Sequence, residues 1–123
     1  MAFLIDAALD AGLAYIISNG DSLVLTNAEA TTYTEAVTTF NVTDPEAVTP
    51  GAAAAGAVSG RRTIIPSVEV TANATDDATH WALTNGTDTL IATGALASPI
   101  ALTDTLAYTV EAFSITLLDA IAE

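Results

Sequence analysis

The chain has 123 residues, no cysteine, and 15 Asp plus Glu against two basic residues, for a formal net charge of −13. A hydrophobic fraction of 51% excludes an acidic disordered tail, which combines high charge with low hydrophobicity. Binding to nucleic acid or an anionic membrane needs clustered Lys and Arg. With Arg61 and Arg62 as its only cations, the chain is expected to take neither partner.

Length predicts a single domain over residues 1–123. Much of the apolar fraction is alanine, so the expected core is thin. Without disulfides, packing and oligomerisation have to stabilise it. The leading MAFLIDAALDAGLAYII lacks a positive n-region and carries Asp6 and Asp10 inside its apolar run. It therefore reads as folded protein, not as a signal peptide or a membrane span.

Residues 3–18 predict one amphipathic helix. Leu4, Ala8, Ala11 and Tyr15 recur at spacings of three and four, and Leu9, Leu13 and Ile16 widen the stripe. Asp6 and Asp10 share the other face, near the positive end of the helix dipole, and Asn19-Gly20 supplies a left-handed stop. The alanine-rich face allows close approach, either to a sheet of the same domain or to a neighbouring subunit.

Beyond Gly20 the period changes to two. Residues 22–27 (SLVLTN) predict a short strand, 31–36 a turn or short helical piece, and 37–42 (VTTFNV) another strand. Residues 43–60 hold Pro45, Pro50, Gly51, Gly56 and Gly60 and read as a long extended loop. A loop of that length is a candidate for contact with a partner, Pro50 and Gly51 included.

From Arg61 onward strand signals recur at 63–66, 67–72, 79–83, 89–93, 100–102, 106–110 and 112–118. In SVEVTA, Val68, Val70 and Ala72 share one face while Glu69 and Thr71 take the other. Residues 74–77 read as a turn, and Asn85-Gly86 signals a hairpin because both residues tolerate positive φ. Seven or eight of these signals forming short strands over 22–42 and 61–118 predict an all-β fold, an antiparallel sandwich or small barrel preceded by the helix.

Chemistry is sparse. Asp76, Asp77 and His80 combine two carboxylates with the only histidine, and such ligands suit a divalent cation. The spacing has no EF-hand pattern, and the plainer reading puts both Asp in a turn and His80 on a sheet edge, alternating with an inward Trp81. Asp44 and Glu46 sit in a stretch that offers no enclosing cleft for paired-carboxylate catalysis. GxSxG, GxGxxG and GxxxxGK[ST] are absent from the sequence. The chain is therefore expected to have no catalytic residues, no metal and no cofactor. Trp81, Phe40, Phe113 and Tyr108 fall in alternating strands, which assigns them to the core. Arg61 and Arg62 either pair with carboxylates of their own chain or anchor the subunit to another copy or an acidic partner, a use the guanidinium fork suits.

The stretch from Ser59 to Ala120 resembles a group of small virion proteins of tailed bacteriophages and prophages, labelled tail-fibre-like or head-fibre. The resemblance is carried by SGR (Ser59, Gly60, Arg61), A-T-H-W-A-L at 78–83, the Asn85-Gly86 turn, L-x-A-T-G-x-L at 90–96, and A-F-x-I at 112–115. DAALDAGLAYI followed by NG, and TTYTEA at 31–36, are similar at the front end. The likeness implies a virion component exposed on the particle, without enzyme activity or cofactor. The chain has no fibrous stalk, so a capsid decoration or cement protein on the outer surface of the head is expected. Its partners would be the major capsid protein or another virion protein and further copies of itself, a trimer being favoured. The interaction candidates are Leu4, Ala8, Ala11, Tyr15, Pro50, Gly51, Arg61 and Arg62. The alternative is a fibre module that binds host glycans, favoured if aromatic residues line a shallow groove.

Overall fold

The computed structural model describes residues 6–56 and 60–117. In chain order it holds α1 (Asp6–Asn19), β1 (Ser22–Thr26), a π-helical turn (Glu35–Thr39), β2 (Glu46–Ala47), β3 (Ala54–Ala55), β4 (Arg61–Ile65) and β5 (Val68–Thr71). Strands β6 (Asp76–Thr84), β7 (Leu90–Leu102), β8 (Ala107–Val110) and β9 (Phe113–Leu117) complete it. Leu4 and Leu118 lie outside the described residues, as does the start of the predicted helix at residues 3–5. Every pairing between these strands is antiparallel, in a four-stranded sheet β2-β1-β6-β7, a three-stranded sheet β3-β4-β9 and a two-stranded sheet β5-β8. The protein is an all-β fold with one helix at the front.

Strand β1 explains where the core sits. All five of its residues are buried. Leu23 and Leu25 point into the main core, where they join Leu83 of β6, Ile65 of β4, Val70 of β5 and Val110 of β8. Val24 stands opposite Ala82, and on that side Ala30, Ala36, Val37 and Phe40 cover the sheet. A strand covered on both faces is apolar throughout, without the alternation of a half-exposed strand.

The covering segment corrects the strand predicted at 37–42. Residues 35–39 wind into a π-helical turn, closed by the Phe40 N–H donating to the Glu35 carbonyl at 2.8 Å. Side-chain bonds hold the turn: the Thr31 N–H and hydroxyl donate to Glu35 Oε1 at 2.9 and 2.6 Å, and the Glu35 N–H donates to Thr32 Oγ1 at 3.1 Å. Such local bonds compete with strand pairing. Only from Phe40 onward does this segment touch β1 as a strand would: the Phe40 carbonyl accepts the Asn27 N–H, Asn41 is bridged to Thr26, and the Val42 N–H donates to the Leu25 carbonyl.

Three other details differ from the sequence reading. The 43–60 segment carries the short strands β2 and β3, and its backbone is tied down elsewhere, Val48 N–H to the Asp21 carbonyl at 3.0 Å and Gly51 N–H to the Ile64 carbonyl at 2.9 Å. The helix stop is not left-handed, since positive φ among glycines occurs at Gly60 and Gly86. Gly20 is needed for a different reason: a Cβ there would lie 2.7 Å from the Ile16 carbonyl oxygen and 2.8 Å from Leu83 Cδ2. Finally, β6 begins at Asp76, where a turn was predicted, and runs between β1 and β7, so His80 is on an inner strand and not at a sheet edge.

The hairpin expected at Asn85-Gly86 joins β6 to β7, but through a longer loop. Asn85 Oδ1 accepts the N–H groups of Thr87, Asp88 and Thr89 at 2.9 to 3.0 Å, and Gly86 has φ 76°. Strand β7 then merges the two strands predicted at 89–93 and 100–102. Between the pairs Ala78–Ile100 and His80–Ala95, residues 96–99 stand opposite Thr79 alone. This outward bulge ends at Pro99, which lacks a backbone donor for the ladder.

Candidate functional site

Strand alternation sends the two arginines to opposite sides of β4. Arg61 faces α1, where its Nε donates to Asp10 Oδ1 at 2.7 Å and its terminal nitrogen to Oδ2 at 3.3 Å. Around this fork the helix lays Leu9 and Leu13, both buried, toward β4 and β9, and Gly12 approaches Leu117 closely. Thr63 and Ile65, on the same side of β4 as Arg61, are fully buried, and the Thr63 hydroxyl donates to the Gly51 carbonyl at 2.6 Å.

Arg62 lies on the other side, opposite Ala54 of β3 and Thr116 of β9. No carboxylate among the described residues pairs with it, and its Nε is shut off from solvent without an acceptor. A buried donor left unmade costs about 1–3 kcal/mol. Its neighbour on this face, Ile64, is 43% exposed, a high value for so large an apolar side chain. Together with Ala112, Phe113 and Ser114 they outline a shallow depression of about 260 Å³.

A second, more apolar groove of about 340 Å³ adjoins the first through Ala112 and Phe113. Its floor is the Trp81 indole stacked on Phe113 across the sheets, with ring centres 4.6 Å apart and planes tilted by 40°. The indole lies across Gly94 of β7, where a Cβ would come within 2.7 Å of Trp81 Cζ2. One wall is the β7 bulge with Leu96, Ala97 and Ser98, and the other runs from Thr109 to Phe113 and includes Glu111. Trp81 and Phe113 are half-buried, and both reach this open groove.

The helix presents a third surface. Leu9, Leu13 and Ile16 turn toward the sheets, while Ala7, Ala8, Ala11, Ala14, Tyr15 and Ser18 face outward. The stripe read from the sequence is thus split in two. Ala8, Ala11 and Tyr15 belong to the outward half, and Tyr15 is 57% exposed. Among the described side chains no charge lies on that half, whereas surface helices ordinarily put charges there. Pro50 is buried and Gly51 is held against β4, so these two candidates of the 43–60 segment take part in internal packing.

Asp76, Asp77 and His80 are not gathered into one site. Asp76 Oδ2 accepts from Asn27 Nδ2 at 2.9 Å and Asp76 Oδ1 from the Asp77 N–H at 2.8 Å, and these bonds, Asn27 first, hold the Asp76 carboxyl below its usual pKa. His80 Nδ1 lies 2.8 Å from the Thr79 hydroxyl. Among the described residues no three His, Asp or Glu side chains cluster as metal ligands, and no helix is long and apolar enough to cross a membrane. Comparison with known proteins finds no matching family model, no matching curated relative and no matching solved structure.

Which arginine the helix covers, and the groove, are not readable from the sequence. Alternation along RRTII does place the arginines on opposite sides, but which side a helix covers depends on tertiary packing. The groove depends on the bulge at 96–99, whose one local signal is Pro99 within a run of small residues.

Proposed function

We propose that the protein is a non-enzymatic structural protein of a tailed-phage virion, a decoration or cement protein that sits on the outer surface of the head and stabilises the shell through repeated contacts. The observation that carries this reading is the outward half of α1. In a chain with 15 acidic residues, a helix whose exposed side holds alanines, Tyr15 and no charge is built like one that is covered on both sides. Small residues let a flat partner approach the backbone closely, and many such weak contacts multiplied by symmetry add up to firm attachment. The acidic remainder keeps the particle exterior soluble. The resemblance to small virion proteins supports the same assignment, with the major capsid protein as partner and a trimer as the favoured assembly.

The test is to count copies of the chain on purified heads of the phage or prophage that encodes it, and to heat heads with and without it. Stoichiometric presence and a lower disruption temperature in its absence are expected. Absence from heads, or a few copies at the tail tip, overturns the reading.

One observation favours the alternative, a fibre module that binds host glycans: the Trp81–Phe113 floor is reached from an open groove. A glycan array separates the two readings. Specific glycan binding that is lost in Trp81→Ala, with the fold intact by circular dichroism, selects the adhesion module.

A further inference from the structure

We infer that the outward face of the β3-β4-β9 sheet, centred on Arg62 and Ile64, docks a carboxylate-bearing surface of a second copy of this chain. This concerns contacts between copies and holds whether or not the protein sits on a capsid.

Three observations converge. Arg62 has a buried Nε without an acceptor, in a chain whose 15 acidic residues outnumber its cations heavily. Nε itself is sealed from solvent, so an acceptor from a second copy would bond the terminal nitrogens of this half-buried guanidinium, with charge-assisted geometry. Beside it, Ile64 is exposed and a depression of about 260 Å³ opens toward Phe113 and Ser114, so the charge is set in an apolar surface that a partner can cover. The third observation is electrostatic. At a net charge of −13, two copies repel over most orientations, and the Asp10 carboxylate already holds Arg61. Arg62 is the one place in the described residues where a copy presents a cation without a carboxylate of its own, so it is where a carboxylate of a second copy is attracted.

The same charge sets the symmetry. A two-fold contact centred on Arg62 would bring two guanidinium groups together, so the pairing runs from the Arg62 face of one copy to a different, acidic face of the next. Such head-to-tail contacts close into rings when the rotation allows. The surface lies on the side of the sheet away from α1, which leaves the uncharged helix face free for another partner.

Sedimentation velocity over a concentration series tests the inference, on the full chain and on the variants Arg62→Glu and Ile64→Glu, each checked for an unchanged circular dichroism spectrum. The wild type is expected to self-associate, and each variant to raise the dissociation constant by about tenfold or more, the usual scale for losing a charge pair or burying an unpaired charge in an interface. Arg62→Lys, which keeps the charge and loses the fork, is expected to fall between. A wild type that stays monomeric at every concentration overturns the inference, as does an oligomer that neither Glu variant weakens. An Arg62→Glu protein that self-associates normally but no longer binds heads points to a shell protein as the occupant and likewise overturns it.

Discussion

On one face of β4, Arg61, Thr63 and Ile65 each find what they need within the chain: a carboxylate, a carbonyl oxygen and a hydrocarbon core. On the other face Arg62 and Ile64 find none of these, although the backbone is the same five residues and the chain is rich in acids. What separates the faces is coverage. Helix α1 closes one, and nothing among the described residues closes the other with charge or bulk. Like neighbouring residues therefore differ in kind, Arg61 as an internal tie and Arg62 as a group that finds no partner among the described residues.

That contrast can be broken most severely at Ile65. Ile65→Ala removes a fully buried side chain from the main core and is expected to lower unfolding free energy by about 2–5 kcal/mol, measured by urea denaturation. Ile64→Ala, one residue away, should change it by about 0.5 kcal/mol or less, because its side chain is already half in water. Equal losses at the two positions would mean that both faces are covered in the isolated chain.

Gly94→Ala ranks next. Its new methyl meets the Trp81 ring, so either the indole or β7 must shift, at a cost of about 1–3 kcal/mol and with an altered tryptophan emission spectrum. Arg61→Ala follows, with an expected loss of about 1 kcal/mol, the modest value of a bidentate pair that is still partly solvated. Arg62→Ala sharpens the contrast: it relieves the cost of the unmade donor but gives up the packing of the side-chain stem, and with the two offsetting, stability should stay within about 0.5 kcal/mol of the wild type.

The smallest effect is with pH. Hydrogen bonds from Asn85 and Thr89 hold Asp88 below its usual pKa, and bonds from Thr31 do the same for Glu35. A carboxyl with a lowered folded pKa binds its proton less readily when folded, so its contribution to stability is complete above the ordinary carboxylate range and disappears as pH falls through the lowered value. An Asp88→Ala protein should therefore melt below the wild type at neutral pH, with the gap narrowing under acid. A gap that widens on acidification would contradict the assigned bonds.

Much of this architecture is legible in the residues. Val70 and Ala72 turn inward and Glu69 and Thr71 outward as their alternation requires, and the Asn85-Gly86 signal does mark a hairpin. The fold class follows from such repeats. What is not legible depends on contacts distant in sequence. VTTFNV has the composition of a strand, yet the Thr31–Glu35 bonds and the need to cover Ala82 wind its first residues into a π-helical turn. The helix stripe at Ala8, Ala11 and Tyr15 is real as a pattern, but only the position of β4 and β9 decides that Leu9 and Leu13 are the inner half. The aromatic pair was assigned to a core, and it does join two sheets there. That one of its sides stays open depends on where the β7 bulge swings.

The bulge also bears on a hazard. Strand β7 is the last in its sheet, and residues 89–103 carry no charged side chain, so a straight version of it would offer a template for runaway strand-on-strand stacking into fibres. Swinging 96–99 out of line, with an N–H missing at Pro99, interrupts that template midway. The kink that walls the groove thereby also guards a crowded population of identical chains against polymerising along their rims.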